Sequence, residues 1–472
     1  MNEVDWNKVI EWDRSYYLDI LQAQEEWMPF PVVKVEGNYL IDAEGNKILD
    51  LISGLVSANV GQRHPKVVEA IKRVLDRYGF VWELMQTPEK SEAAKLIIED
   101  ILDDEGWAGK VRFVNSGSEA NEEAMILAKL YTDRPYVVCR DYAYHGWTLG
   151  AGSCTSLNLW RNILSSPTAD KWKEVRGFPA HGFFVVPAPF CYRCPYGFEG
   201  PRYCTVDGKR ACINALWHRL LNLGPENVAA VITEVISGGG LIVPPPEWVK
   251  ELRELTEKNG ILLIIDEIMT GFGRTGRWFC YQHYGIHPDI LTLGKGIVSS
   301  QLPAAGLVVS KKMVELLDSY RWWHANTHAA HPVVMAAVVE NIKVLMEEGL
   351  IRRAAEMGEY LGTQLKKLEE EHRCVGYVSG MGLFWGVELV KNKETKEPFT
   401  KEDRYAMGTG DISKWAVNIV EMKALEKGVR VAGFVPNCLR IGPALTITKE
   451  EIDKAIEALD YAFGALDELC AK

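Results

Sequence analysis

Asp266 and Lys295 each stand at the end of an apolar run with the composition of a buried strand, at 261–265 and 290–293. Ligands of open α/β sheets bind at the carboxyl ends of strands, so we expect the two side chains at one edge. A buried lysine loses its proton readily and can form a Schiff base. A buried acid is seldom unpaired. We therefore predict that Lys295 holds a cofactor as a Schiff base and that Asp266 keeps the ring of that cofactor positively charged. The alternatives are a lysine in a surface turn and a structural acid.

The glycine-rich stretch at 271–276, between these two residues, matches G-x-G-x-x-G. A dinucleotide-binding fingerprint requires a helix that opens at its third glycine. The residues that follow, RWFCYQHYGIHPD, have no helical pattern. We interpret the stretch as a turn in which glycines take positive φ. A phosphate-binding P-loop is also excluded, because no Ser or Thr follows Gly294-Lys295.

A second stretch, Asn-Ser-Gly-Ser-Glu at 115–119, joins an apolar run to a helical pattern. Gly117 and Ser118 at a helix N-terminus offer backbone N–H groups to an anion. Ordinary capping of the helix, with Glu119 and Glu122 facing its dipole, explains the same residues and is favoured when the stretch is taken alone.

Four cysteines follow the spacing C-x2-C-x9-C-x7-C. Four thiolates can hold a structural zinc. Only the first pair has the tight spacing of a zinc site, so free thiols in an extended loop are the favoured interpretation and we predict no metal. The four residues are Cys191, Cys194, Cys204 and Cys212.

The elements that must position these residues follow from periodicity. Apolar strand-like runs alternate with helical runs from about residue 110 to 309, which predicts a mostly parallel sheet covered on both faces. Helices are predicted at 64–78, 89–103 and 119–132, and a long helical run from 332 to about 371. The N-terminal 30 residues predict a helix packed on another element, followed by a small antiparallel sheet. The predicted domains are 1–62, 63–334 and 335–472.

Composition limits the class of protein. The net charge of −11 over 472 residues argues against a nucleic-acid or anionic-membrane partner. The N-terminus lacks the pattern of a signal peptide, and no apolar window is long enough to span a bilayer. Ten cysteines are too few for a disulfide scaffold. We expect a cytoplasmic enzyme.

Several long motifs in order resemble those of the class III (ω-) aminotransferases, pyridoxal-phosphate enzymes of fold type I. The chain resembles this family from about residue 30 to 465. The matching stretches are DEIMTGFGRTG at 266–276, Gly-Lys-Gly at 294–296, NSGSEA at 115–120, Tyr-His-Gly at 144–146, THAAHP at 327–332 and LRIGPAL at 439–445.

The resemblance implies an α/β fold with a large domain around a mostly parallel seven-stranded sheet. It also implies a small α+β domain built from N- and C-terminal segments. Lys295 would bind the cofactor and move the proton, and Asp266 would pair with the pyridine nitrogen. Thr327 would reach the phosphate in the neighbouring subunit of a homodimer. The implied cofactor-binding residues are Gly117, Ser118, Tyr144, His145, Glu234, Asp266, Ile268, Lys295 and Thr327.

Substrate-binding residues are also implied by the resemblance. Arg440 would grip the acceptor carboxylate as a bidentate partner. Leu55 and Val56 follow Ser53-Gly54, where many relatives carry a tryptophan after Gly-Leu, and Val56 should widen that side of the pocket. The chain also departs from the family pattern in having Val235 after Glu234, Met269 in place of glutamine, and Ala330 in place of glycine.

The function implied is transamination from an ω-amino acid or amine, of the β-alanine or taurine type, to pyruvate or 2-oxoglutarate. The alternatives are a racemase, aminomutase or decarboxylase on the same scaffold, or an aminotransferase of the 4-aminobutyrate or ornithine type. A non-catalytic binding protein predicts loss of the lysine or the acid, and both are present.

Overall fold

The computed structural model describes residues 4–20, 28–156, 180–200, 204–206, 208–399, 415–435 and 437–470. Within them, the strands are β1 (Val32–Glu36), β2 (Tyr39–Asp42), β3 (Lys47–Asp50), β4 (Ala108–Val114), β5 (Tyr136–Arg140), β6 (Phe183–Val186), β7 (Thr205–Val206), β8 (Lys209–Arg210), β9 (Val228–Thr233), β10 (Leu262–Asp266), β11 (Ile290–Leu293), β12 (Ala305–Ser310), β13 (Val375–Met381), β14 (Phe384–Leu389), β15 (Val429–Arg430), β16 (Ala432–Val435) and β17 (Cys438–Ile441). The α-helices are Trp6–Tyr16, Ser53–Val56, Pro65–Arg77, Pro88–Lys95, Gly117–Thr132, Leu149–Cys154, Ala211–Leu223, Pro246–Lys258, Lys311–Ser319, Pro332–Glu347, Leu350–Glu371, Ala416–Glu426 and Lys449–Asp467.

The large sheet has seven strands in the order β4-β12-β11-β10-β9-β5-β6. Strands β9 to β12 are buried along their whole length, as expected of a sheet covered on both faces. The predicted mostly parallel seven-stranded α/β fold is confirmed.

Strand β12 runs antiparallel to both its neighbours, β11 and β4. The apolar run at 304–309 predicts one strand of a mostly parallel sheet and does not specify its direction. Its direction follows from its connection to β11: residues 294–304 contain no helix longer than the 3₁₀ turn Lys295–Ile297, whereas a parallel neighbour needs a crossover of about a dozen residues or more, usually with an α-helix.

Two smaller sheets stand outside the large one. Strands β1 to β3 form the predicted antiparallel sheet, and β3 pairs in parallel with β15 from the C-terminal part. The other sheet has the order β13-β14-β17-β16. The N- and C-terminal segments therefore share a sheet, as the resemblance implied. The domain boundaries at 62 and 334 stay predictions.

Three helical predictions differ in detail from the structure. The run 89–103 begins as the α-helix Pro88–Lys95 and continues as a π-helix over Leu96–Ile101. The run 332–371 is two helices, separated at Gly349, whose φ of +62° no helix can continue through. The N-terminal helix Trp6–Tyr16 contains no buried residue, so the predicted packing of its aromatic face is not seen; residues 21–27 lie outside the described ranges.

None of the helices in the described ranges combines the length and apolar character needed to cross a membrane.

Candidate active site

Asp266 and Lys295 meet at one edge of the large sheet. Asp266 is the last residue of β10 and lies beside Thr292 in the register of the neighbouring strand β11. Lys295 follows β11 after one extended residue, Gly294, and takes a φ of +43°. Such a conformation is costly for a residue with a Cβ and clusters at functional sites. The expectation of one shared edge is therefore realised by parallel pairing of the two strands.

The carboxylate of Asp266 is buried and held on three sides. Its Oδ2 accepts hydrogen bonds from Asn121 Nδ2 and from His145 Nδ1, each at 2.8 Å. Its Oδ1 accepts from the backbone N–H of Ile268 at 3.0 Å. The side chain of Asn121 is itself fixed, because its oxygen accepts from the Thr292 hydroxyl at 2.8 Å. These bonds keep the carboxylate oriented in a site where an unpaired charge would be costly.

His145 is the nearest ionisable partner of Asp266. Burial by itself lowers the pKa of its ring, but the hydrogen bond to Asp266 and that carboxylate's charge outweigh burial and raise the pKa overall. The imidazole therefore supports a negative charge on Asp266.

The amine of Lys295 is prepared for nucleophilic chemistry. Its pKa is lowered to about 8: burial is the largest cause and the positive charge of Arg440 acts in the same direction, while the charges of Asp266 and Glu234 oppose the shift. An amine with this pKa is partly neutral near neutral pH, and the neutral amine is the nucleophile.

The helix Gly117–Thr132 begins beside this pair. Ser116 is its N-cap, and the Ser116 side chain accepts from the Glu119 N–H at 3.2 Å. The capping interpretation and the anion-site interpretation of this stretch are thus compatible, since the cap uses Ser116 and leaves the first-turn N–H groups of Gly117 and Ser118 at the helix end.

Close packing joins this helix end to the strand ends. A Cβ on Gly117 would lie 2.7 Å from Ile268 Cδ1, and a Cβ on Gly294 would lie 3.0 Å from Ile268 Cγ2. Gly146 approaches Ser118 so closely that a Cβ there would lie 2.3 Å from the Ser118 hydroxyl, and its φ is +127°. Ile268 therefore lies between the helix end and the lysine loop.

Glu234 and Tyr144 form the next part of the site. Glu234 is buried, which raises its pKa, and its Oε2 accepts from the backbone N–H of Tyr144 at 3.2 Å. Its Oε1 accepts from the N–H of Gly238 at 2.8 Å. Met269 packs on the same turn, because its Sδ is 2.9 Å from where a Cβ on Gly238 would lie. The structure thus brings Glu234, Tyr144 and Met269 together.

Arg440, on β17, reaches the same turn from the C-terminal sheet. It is buried, which lowers its pKa to about 10, and its Nη2 donates to the carbonyl oxygen of Gly238. Its charge acts on Lys295, so the guanidinium belongs to the same site.

The turn at 53–57 presents Leu55 and buries Val56. Val56 has a φ of +54° and packs against the backbone of Gly442, where a Cβ would lie 2.8 Å from Val56 Cγ1. Leu55 is half-exposed on the same turn. A substrate-facing role for Val56 stays a prediction.

Thr327 lies on the surface of the chain, whereas Asp266 and Arg440 are buried. It is exposed and begins the turn 327–330. Ala330, where relatives carry glycine, has a φ of +51°, which explains why glycine suits that position.

The four-cysteine stretch lines one small cavity away from these residues. Burial, together with the neighbouring thiols, raises the pKa of Cys191 to about 11 and that of Cys212 to about 12. Across the described ranges, no three His, Cys, Asp or Glu side chains are arranged to hold a metal ion.

Sequence reasoning missed Asn121, which holds Asp266. A signal was present: Asn121 follows Ser118 by three residues, so both lie on one face of the helix. Its partner, 145 residues away, was not visible in the pattern.

The chemical groups of this site fit pyridoxal 5′-phosphate. A partly neutral lysine suits its aldehyde, an oriented carboxylate suits its pyridine nitrogen, and a helix N-terminus suits its phosphate.

Comparisons with known proteins agree with this chemistry. The family model "Aminotransferase class-III" matches residues 20–463. The crystal structure of an S-selective transaminase from an Arthrobacter species superposes with a TM-score of 0.93, at 44% identity over 99% of each chain. The putrescine–pyruvate aminotransferase of Pseudomonas aeruginosa is 34% identical over 93% of this chain and 91% of that protein. The leucine/methionine racemase of Thermococcus litoralis is 32% identical over 94% and 92%.

Proposed function

The chain belongs to the class III aminotransferases, and from this premise we propose that it moves an amino group from an ω-amino acid or amine to pyruvate or 2-oxoglutarate. Pyridoxal 5′-phosphate, the cofactor of this family, supplies an electron sink when bound. The observation that carries the proposal is the pair Asp266 and Lys295 at adjacent strand ends, with the lysine pKa lowered to about 8.

We assign the cofactor's ends to different parts of the site. Lys295 Nζ would hold the aldehyde carbon of the cofactor and, once the incoming amine has displaced it, would be free to carry the proton between the substrate Cα and the cofactor. Asp266, supported by His145 and Asn121, keeps the pyridine nitrogen protonated. The N–H groups of the first helical turn bind the phosphate.

The walls of the site are assigned from the contacts of the same region. Tyr144 and Ile268 would pack on opposite faces of the cofactor ring, and Glu234 orients the Tyr144 backbone by accepting its N–H. The Gly117 and Gly294 contacts of Ile268 support this placement.

Arg440 binds the acceptor carboxylate in this proposal. The guanidinium is buried and tethered to the Gly238 carbonyl, and a guanidinium presents its donors in a planar fork that matches the geometry of a carboxylate. The turn carrying Leu55 and Val56 borders the substrate and sets the size of the donor side chain. The putrescine–pyruvate relative supports an amine or ω-amino donor.

The active unit is a homodimer in the cytoplasm, in which Thr327 binds the phosphate of the partner's cofactor. The exposure of Thr327 supports this assignment. The ten free thiols are in keeping with a reducing compartment.

Replacement of Lys295 by Ala tests the proposal. The wild type should absorb visible light from its lysine-bound cofactor, and Lys295→Ala should lose both that absorbance and turnover. A wild type without the absorbance, or a variant that keeps absorbance and turnover, would refute it.

A second candidate, racemisation, is favoured by the Thermococcus relative. Assaying turnover with and without a keto acid distinguishes transamination from racemisation. The same assay distinguishes transamination from decarboxylation and aminomutation. A transaminase given a donor without acceptor stops after one half-reaction, whereas the other reactions continue. A donor panel that includes 4-aminobutyrate and ornithine, each with pyruvate or 2-oxoglutarate, identifies the substrate class.

A further inference from the structure

Glu123 is a fully buried carboxylate on the helix that also supplies Gly117 and Ser118. Its Oε2 accepts from Arg112 Nε at 2.6 Å, and its Oε1 accepts from His324 Nδ1 at 2.6 Å. The side chain of Asn326 donates to the same Oε1 at 3.4 Å. A buried carboxylate is tolerated only when it is paired in this way, so its partners are held as firmly as it is.

Arg112, on β4, extends the network to a second place on the surface. Its Nη1 donates to Glu83 at 2.8 Å, and its Nη2 donates to the carbonyl oxygen of His324 at 2.9 Å. The guanidinium thus connects two segments, 80–85 and 321–326, neither of which contains helix or strand. Backbone without helix or strand bonds depends on side-chain anchors for a fixed shape.

The two anchored segments expose large apolar side chains. Trp323 is 78% exposed and Leu84 is 68% exposed, with Phe80, Trp82 and Met85 beside them in the chain. Large apolar groups gathered on a surface mark a site of protein contact. Thr327 follows the second segment directly and is exposed with it.

We propose that Glu123 is a positioning residue for Thr327: through His324 and Arg112 it fixes segment 321–326, and so presents the Thr327 hydroxyl to the cofactor phosphate of a second copy of this chain. This inference rests on the homodimer proposed above. Glu123 lies on the helix whose N-terminus binds the cofactor phosphate of its own subunit. It also holds the segment before Thr327, which binds the cofactor phosphate of the partner subunit.

Replacement of Glu123 by Gln tests the inference at the phosphate. Gln keeps the shape of the side chain but lacks the negative charge that binds Arg112 and His324. We expect Glu123→Gln to weaken binding of pyridoxal 5′-phosphate by about tenfold, the effect of one lost charge-assisted hydrogen bond. Binding of pyridoxal, which has no phosphate, should be unchanged. Glu92→Gln, which removes a half-exposed carboxylate from its pair with Lys343, is the matched control and should change neither.

Mixed dimers test whether Glu123 acts on the partner's site. When a Glu123→Gln subunit pairs with a Lys295→Ala subunit, the one site with a lysine receives Thr327 from a subunit with intact Glu123. That site should retain the phosphorylated cofactor as the wild type does. Weak retention in the mixed dimer would show that Glu123 acts within its own subunit and would overturn the inference.

Other outcomes are equally decisive. Equal weakening of pyridoxal and pyridoxal 5′-phosphate would indicate a merely structural role and overturn the inference. If Glu123→Gln does not fold, His324→Ala takes its place, because it removes a half-exposed partner of Glu123. The comparison is again the loss of affinity for pyridoxal 5′-phosphate against the loss of affinity for pyridoxal. A chain that binds the cofactor at Lys295 as a monomer would refute this inference and the proposed homodimer but leave the proposed transamination standing, whereas the absence of lysine-bound cofactor would refute the proposed transamination itself.

Discussion

In our proposals one cofactor is bound by the strand-end pair Asp266 and Lys295 of one subunit and by Thr327, which follows the surface segment 321–326, of the other, and these two regions are built differently. Asp266 ends a fully buried strand and has its partners within the chain. Segment 321–326 has no regular structure and relies on the buried carboxylate of Glu123. On these proposals the reacting end of the cofactor is held by partners within one chain, whereas part of its phosphate site comes from an anchored loop of a second copy.

The largest expected effect comes from replacing Asp266 by Asn. The amide keeps the size of the side chain but cannot keep the ring nitrogen protonated, so turnover should fall by roughly two to three orders of magnitude. Steady-state kinetics on cofactor-saturated protein measure it. Glu267→Gln is the matched control, because this adjacent buried acid bonds instead to Thr270 and the Tyr281 backbone. Equal losses in the two variants would remove the special role of the strand-end acid.

The next effect is the pH dependence of cofactor capture by the apoprotein. The pKa of Lys295 is lowered to about 8, so the neutral, reactive amine is lost as the pH falls below that value. The capture rate should fall about tenfold per pH unit below 8 and level off above it. Stopped-flow absorbance at constant ionic strength measures the profile. A flat profile between pH 6 and 8 would contradict the lowered pKa.

Arg440 should affect one half-reaction only. Arg440→Lys keeps the charge but loses the bidentate geometry, so the KM for the keto acid should rise by roughly ten- to hundredfold. The half-reaction with an amine donor that lacks a carboxylate is the internal control and should keep its rate. Equal loss with both substrates would assign Arg440 to the structure of the site instead of acceptor binding.

The smallest effect is expected at the surface segment. Thr327→Val keeps the shape without the hydroxyl, and should weaken binding of pyridoxal 5′-phosphate by about tenfold or less. Thr327→Ser keeps the hydroxyl and should bind as the wild type does. Equilibrium titration of the dimeric apoprotein provides the measurement. If Val and Ser behave alike, the hydroxyl does not reach the phosphate and the two regions do not share one cofactor.

The sequence predicted the strands of the large sheet well, because each buried strand is a nearly continuous apolar run. It did not determine strand direction, helix bounds or helix packing where these depend on one connection or on distant parts of the chain. Strand β12 runs antiparallel to β11 because its connection from β11 has no crossover helix, and the run 332–371 breaks at Gly349 although its apolar pattern continues. The aromatic spacing of the first helix predicted packing, yet Trp12 and Tyr16 remain exposed in the single chain.

The sequence by itself determined the local parts of the site: an acid and a lysine at strand ends, a glycine turn between them, and a polar stretch at a helix start. Each is a pattern within a few residues. Tertiary structure alone decided the partners, since Asn121 and His145 reach Asp266 from 145 and 121 positions away, and His324 reaches Glu123 from 201. It also buried Val56 against Gly442. Periodicity reports which face of an element is buried, but the atom that lies opposite a buried polar group is set by how distant elements pack.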